Sequence, residues 1–230
     1  MLISLLKKYI YLFNLVLVFS SCHNQENRNT NFTETQSDIV IESVKLKPIE
    51  YNDEIVRNMD YAINGMYRRL NSASSLVKNY AKELPVEEQI IEFEKNIEIS
   101  LPWLNIRLKN LRKLEEIDTE IGYKATVFES LENFIDISNN QLSTIPQLLV
   151  NDINEKNMIE SSELIIEIWS LLVEQEKKCQ LKCYEFADKH QFKLNGNSKD
   201  WKKEMKEIEN AKIEYNQLIK LFQAKNSSSN

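Results

Sequence analysis

The sequence predicts an all-α fold: an elongated up-and-down bundle of four or five long helices behind a flexible N-terminal tether. Three observations predict it. The 230 residues contain only 3 glycines and 4 prolines, where average usage would give roughly 16 and 11. A strand-rich or loop-rich fold needs those turn residues, and this chain barely has them. Apolar residues recur at helical spacing through most of the chain. The breaks between these runs are short, which makes consecutive long helices antiparallel neighbours.

The first helix is expected at about 51–84. Met59, Ile63, Met66, Leu70, Ala73, Val77, Tyr80 and Leu84 alternate steps of four and three, a sustained heptad seam. Pro85 ends it or opens the next helix. The second helix, 86–117, carries Val86, Ile90, Phe93, Ile97, Leu101, Leu104, Leu108 and Leu111, with a kink expected at Pro102. A third, 119–144, uses Ile121, Ala125, Phe128, Leu131, Ile135 and Leu142. Pro146 sits at a break or in the first turn of a short segment, 146–153. The fourth helix, 157–190, lines up Ile165, Ile168, Leu172, Cys179, Cys183, Phe186 and His190. Leu194-Asn195-Gly196-Asn197 is a turn. Ser198 caps a fifth helix, 199–224, with the seam Trp201, Met205, Ile208, Lys212, Tyr215, Ile219 and Phe222. At 1.5 Å per residue such helices are about 40–50 Å long. No repeat of 33–47 residues marks a solenoid.

The N-terminus has its own grammar. Lys7 and Lys8 precede an apolar run from Tyr9 to Phe19, broken only by Asn14, and Ser20, Ser21 and Cys22 follow. These are the parts of an export signal. The run falls short of the roughly 20 apolar residues of a membrane span. Phe19-Ser20-Ser21-Cys22 resembles the lipobox of bacterial lipoproteins, with Phe19 where leucine is commonest. The resemblance implies that residues 1–21 are removed and that the Cys22 thiol takes a diacylglycerol. It also implies acylation of the new N-terminus. More than one acyl chain anchors a protein stably where one is marginal. Residues 22–48 then form a polar tether, in which Asp38 to Lys47 could be a short extended segment ended by Pro48. The bundle occupies 49–225, and 226–230 read as a disordered tail.

Charge excludes some functions. Without Lys7 and Lys8 the chain has 27 basic against 35 acidic residues, a net charge of −8. Nothing in that balance attracts nucleic acid or an anionic membrane surface. Lys202, Lys203, Lys206 and Lys212 are interleaved with Glu204, Glu207, Glu209 and Glu214, the pattern of a solvated helix face. No glycine-rich phosphate loop is present.

Catalytic constellations are also missing. His23 and His190 are the only histidines, too few for a di-iron bundle site. His190 reads as a polar residue at a helix C-terminus. Cys179 and Cys183 share one helix face at a spacing too wide for a bridge within the helix. They read as small core thiols, and a zinc site would lack ligands. In an oxidising envelope a bridge between chains stays open. Glu87/Glu88, Glu92/Glu94 and Glu115/Glu116 read as surface charge. Trp201 lies on its seam and Trp169 beside Ile168; Trp103, after Pro102, is the candidate exposed anchor. No metal and no cofactor beyond the lipid on Cys22 is expected.

A lipid anchor, a tether and a catalytically empty helical body describe a presented binding surface. An Asn-, Ile- and Lys-rich lipoprotein of this plan resembles the helical outer-surface lipoproteins of spirochaetes. That resemblance implies an outer-membrane, surface-exposed protein that binds host matrix proteins or complement regulators. It lies in composition and architecture and carries no binding residue over. The alternatives are a periplasm-facing lipoprotein, either part of a secretion or envelope machine or an immunity protein, and, in third place, an enzyme. Membrane contact through the lipid and a protein partner are expected, and a homodimer stays open. Cys22→Ala should release the folded body in soluble form. Membrane fractionation checks this, and an uncleaved, membrane-bound variant contradicts the anchor.

Overall fold

A computed structural model describes residues 46–82, 84–150, 154–194 and 199–228. The expected signal, Cys22 and nearly all of the tether lie outside them, as do the 195–197 turn and Ser198. Five long helical units pack as an all-α bundle, and among the described residues there is no strand. None of their helices is long and apolar enough to cross a membrane.

Helix α1 spans Pro48–Ala81. Pro48 opens it, and nearly all of the expected extended segment, Asp38 to Lys47, lies outside the described residues. The proline's fixed φ suits the first helical position, and its missing N–H is one no helix could use there. The Glu50 carboxylate accepts the free Lys47 N–H at 3.1 Å. The heptad seam from Met59 to Tyr80 is buried throughout, whereas Leu84 falls beyond the helix and is exposed. α1 buries more than that stripe. Tyr51, Asn52, Ile55, Asn58, Ala62, Arg69 and Leu76 are also covered, because α1 packs on every other helix.

Helix α2, Glu87–Lys113, returns antiparallel beside α1. Asn79 donates to Gln89 across the turn at 2.8 Å, and Tyr51 donates to Glu116 at the far end at 2.7 Å. The expected seam is buried except for Leu101, which is partly covered. α2 runs on through Pro102 without ending there.

The third helix starts later than expected. Residues 114–122 form a loop in which Asp118 Oδ1 accepts the N–H groups of Glu120 and Ile121. Gly122 then takes a left-handed φ of 63° to open α3, Tyr123–Asp136. Its core line is Tyr123, Val127, Leu131 and Phe134. Ala125 faces solvent, and Ile121, Phe128 and Ile135 are only partly buried. A π-helical stretch, Ile137–Leu142, follows. Its wider turn re-sets the register, so Ile145, Pro146 and Leu149 of α4, Thr144–Val150, again face inward. Pro146 falls in the first turn of α4, where its missing donor matters least.

Helix α5, Glu155–Lys189, is capped by Asn154, whose side chain accepts the Asn157 N–H at 2.8 Å. Ile165, Ile168, Leu172, Cys179 and Phe186 are buried as expected. Helix α6, Trp201–Ser228, runs three residues into the segment read as a tail. Its seam differs from the expected one. Met205 and Lys212 are exposed, and Glu204 and Ala211 take their places in the line Trp201, Glu204, Ile208, Ala211, Tyr215, Leu218, Phe222.

Candidate functional site

Two regions gather chemistry: a polar seam inside the bundle and the outer face of α2. The seam runs between α1, α3, α5 and the start of α6. At its centre Glu176 Oε2 accepts the Tyr67 hydroxyl at 3.0 Å and Lys199 Nζ at 2.6 Å. Lys199 also stands 3.9 Å from Glu204 and over the rings of Tyr67 and Trp201. Burial pushes the Asp60 carboxyl up to about 7, with the nearby Glu176 charge adding to the rise. Glu204 is raised too by burial, with Lys199 opposing.

The thiols occupy the next turns. Cys179 and Cys183 are free. Cys179 Sγ lies 3.3 Å from Ser130 Oγ, and Ser130 donates to Gln175 at 2.9 Å. Cys183 donates to Asn52 Oδ1 at 3.2 Å. Burial pushes the Cys179 thiol up to about 12 and raises Cys183 as well. A nucleophilic cysteine needs the opposite shift. Burial also lifts the Tyr123 hydroxyl well above its usual range.

Two residues after Tyr67 in α1, the buried Arg69 donates to Ser138 of the π-helical stretch at 3.0 Å. Burial lowers its guanidinium to about 10. Among the described residues it joins no ion pair. At the other end of the seam His190 is the C-cap of α5, with Nε2 3.3 Å from Asp118 and its ring 4.3 Å from Phe186. Lys189 reaches the same carboxylate at 2.7 Å and holds it below the usual carboxylate range.

The remaining sequence candidates fall apart spatially. Glu87, Glu88, Glu92, Glu94 and Glu115 are exposed, and Glu116 is engaged by Tyr51. Trp169 and Trp201 are partly buried. Among the described residues no three His, Cys, Asp or Glu side chains converge on a metal position. Trp103 stands out on the solvent side of α2, 56% exposed, with Ile99 at 52% and Ile106 at 43%. Steps of four and three put them on one stripe, opposite the buried Ile97, Leu104 and Leu108. Beside it Arg107 lies over the exposed Tyr61 ring at 4.1 Å.

Sequence reading named Trp103 but missed Asp60, Tyr67, Glu176 and Lys199. A lone carboxylate or lysine in a charged helix looks like surface. The one available signal was Glu204, spaced three after Trp201 and four before Ile208. No family model, curated protein or solved structure matches the chain.

The Asp60 shift has a sign. With an ordinary value of 3.8 in the unfolded chain and about 7 when folded, the folded state holds a proton the unfolded state has lost. That contribution is complete below about pH 4 and disappears as pH rises through 7. Asp118 works in the opposite direction, but its window lies at more acid pH. Urea unfolding should therefore show greater stability at pH 5.5 than at pH 8, by on the order of 1 kcal/mol. Asp60→Asn should flatten the difference and stabilise the protein at pH 8.

Proposed function

We propose that this chain is a lipid-anchored envelope protein whose helical body works as a binding module at the bacterial surface. In this reading Cys22 carries the lipid and the following polar residues hold the body off the membrane. The outer face of α2 meets a protein partner of the host-matrix or complement-regulator kind. The observation that carries it is the exposed stripe of Ile99, Trp103 and Ile106. Large apolar side chains clustered in the open commonly mark interaction surfaces. Tryptophan is prominent among residues that dominate binding energy.

The interior supports the same reading. Several of its polar groups are tied across helices: Glu176 to Tyr67 and Lys199, Cys183 to Asn52, Asp118 to Lys189. Both thiols are raised rather than activated. These bonds lock helices together, and neither thiol is a poised nucleophile. The reading is therefore non-enzymatic and invokes no cofactor beyond the covalent lipid.

Protease shaving of intact cells beside permeabilised cells tests the location. The proposal expects loss of the protein from intact cells. Protection until permeabilisation would overturn it and point to a periplasm-facing machine component or immunity protein.

A further inference from the structure

We infer that the guanidinium of Arg69, at the floor of an open niche over Gly65, is a binding site for a singly charged carboxylate. The site stands apart from the reading of α2 as a binding surface, since neither needs the other.

The first observation is a charge without a counter-charge. Arg69 is 6% exposed and lies in the middle of α1. Burying a guanidinium with no anion beside it is costly. Yet among the described residues no acid pairs with it, and none contributes to the lowering of its pKa, which has burial as its only cause. Its hydrogen bonds use one nitrogen. Nη1 donates to Ser138 Oγ at 3.0 Å and to Met66 Sδ at 3.0 Å. That brace to the π-helical stretch needs a donor, not a charge. Nη2 has no partner among the described residues, and it is not sealed from solvent as Asn58 Oδ1 and Ser161 Oγ are.

The second observation is space. Gly65 precedes Arg69 by one turn, and a long side chain on a helix leans back over the preceding turn. A Cβ on Gly65 would meet Arg69 Nη2 at 3.8 Å and no other side chain or neighbouring helix within 4 Å. The glycine therefore leaves a niche floored by the free nitrogen. Among the described residues Gly65 is the one glycine inside a helix, where glycine is weaker than alanine. The 3.8 Å clearance would admit alanine, so packing does not demand glycine there. A longer side chain would cover Nη2.

Asn79 donates to Gln89 and Arg107 lies over Tyr61, which fixes the antiparallel register of α1 and α2. Gly65, one turn after Tyr61 on the same face, is thereby level with Trp103. The niche opens beside the exposed stripe.

Charge selects the ligand. No second base acts on Arg69, so a phosphate dianion would stay half-compensated where a carboxylate is neutralised. Nη2 offers two N–H donors, and a charge-assisted bond to a carboxylate oxygen is strong in so enclosed a place. A free small acid and an acidic side chain of a protein partner both present that group, and the experiment separates them.

The test uses the full chain as processed and purified in detergent, with isotope-labelled arginine. NMR follows the guanidinium signals at neutral pH while sodium acetate replaces sodium chloride at constant ionic strength. The Arg69 signal, assigned by its loss in Arg69→Met, should move saturably in the millimolar range. Gly65→Ala should keep that binding, and Gly65→Leu should weaken it at least tenfold, each with an unchanged circular-dichroism spectrum. Phosphate should bind at least tenfold more weakly than acetate. Acetate should raise the melting temperature of the wild type and leave that of Arg69→Met where it is. A shift without saturation, binding that survives Gly65→Leu, or phosphate binding as tightly as acetate overturns the proposal. So does an Arg69→Met chain that melts below the wild type while acetate stabilises neither, because Arg69 is then a brace and nothing more. A peptide capped at both ends, carrying one glutamate and binding more tightly than acetate, assigns the carboxylate to a protein side chain. The reverse order assigns it to a small free acid. Failure of the site leaves the outcome of protease shaving, and with it the surface-binder reading, untouched.

Discussion

The burial of α1 between α2 and α5 is the constraint on which the rest of the molecule depends. α1 covers Tyr51, Ile55, Met66, Ala73, Leu76 and Val77 almost completely. Each fully buried large aliphatic side chain stabilises by about 1.5–3 kcal/mol. A helix that contributes on several faces can be satisfied only by several neighbours at once, and α1 touches every other helix. α2, by contrast, buries one side and leaves the other in solvent. That asymmetry explains why the candidate interface lies on α2.

Surrounding a helix on all sides also drags polar groups inward. Asn52, Asn58 and Arg69 are buried with the apolar seam. An unpaired buried polar group is costly, so partners are drawn from neighbouring helices. Ser138 meets Arg69, Glu176 meets Tyr67, and Cys183 meets Asn52. Among the described residues, Asn58 Oδ1, Ser161 Oγ and Trp169 Nε1 have no hydrogen-bond partner. These cross-helix bonds specify which helices are adjacent and in what register. The raised pKa values along the seam follow from the same burial, and need no catalytic explanation.

The fold class and three of the five helical units were legible in the sequence because their seams are apolar or nearly so. Met59 to Tyr80 and Val86 to Leu111 keep helical time without interruption, and Ile165 to Phe186 does so apart from the buried Gln175 between Leu172 and Cys179. α3 was misread by a shift of register. Gly122 delays its start, and the π-helical stretch changes the phase before Ile145. Neither feature leaves a hydrophobic signature. α6 was misread because a buried glutamate stands where Met205 would be the apolar choice; Lys199, which also pairs with Glu176, and Lys203 offset that burial. The exposure of Trp103 was legible because it follows Pro102 and sits off the seam. Its partners in the stripe, Ile99 and Ile106, were not, since an isoleucine is ordinarily assigned to a core.

The bundle is organised on one enclosed helix, α1, which packs on every other helix. Native-state hydrogen exchange measures the enclosed helix most directly. Amides of α1 from Met59 to Tyr80 should exchange only through global unfolding, together with those of α5 from Ile165 to Phe186, while α6 opens at lower free energy. If α1 amides exchange by local opening faster than those of α2 or α6, α1 is not the element on which the fold is built.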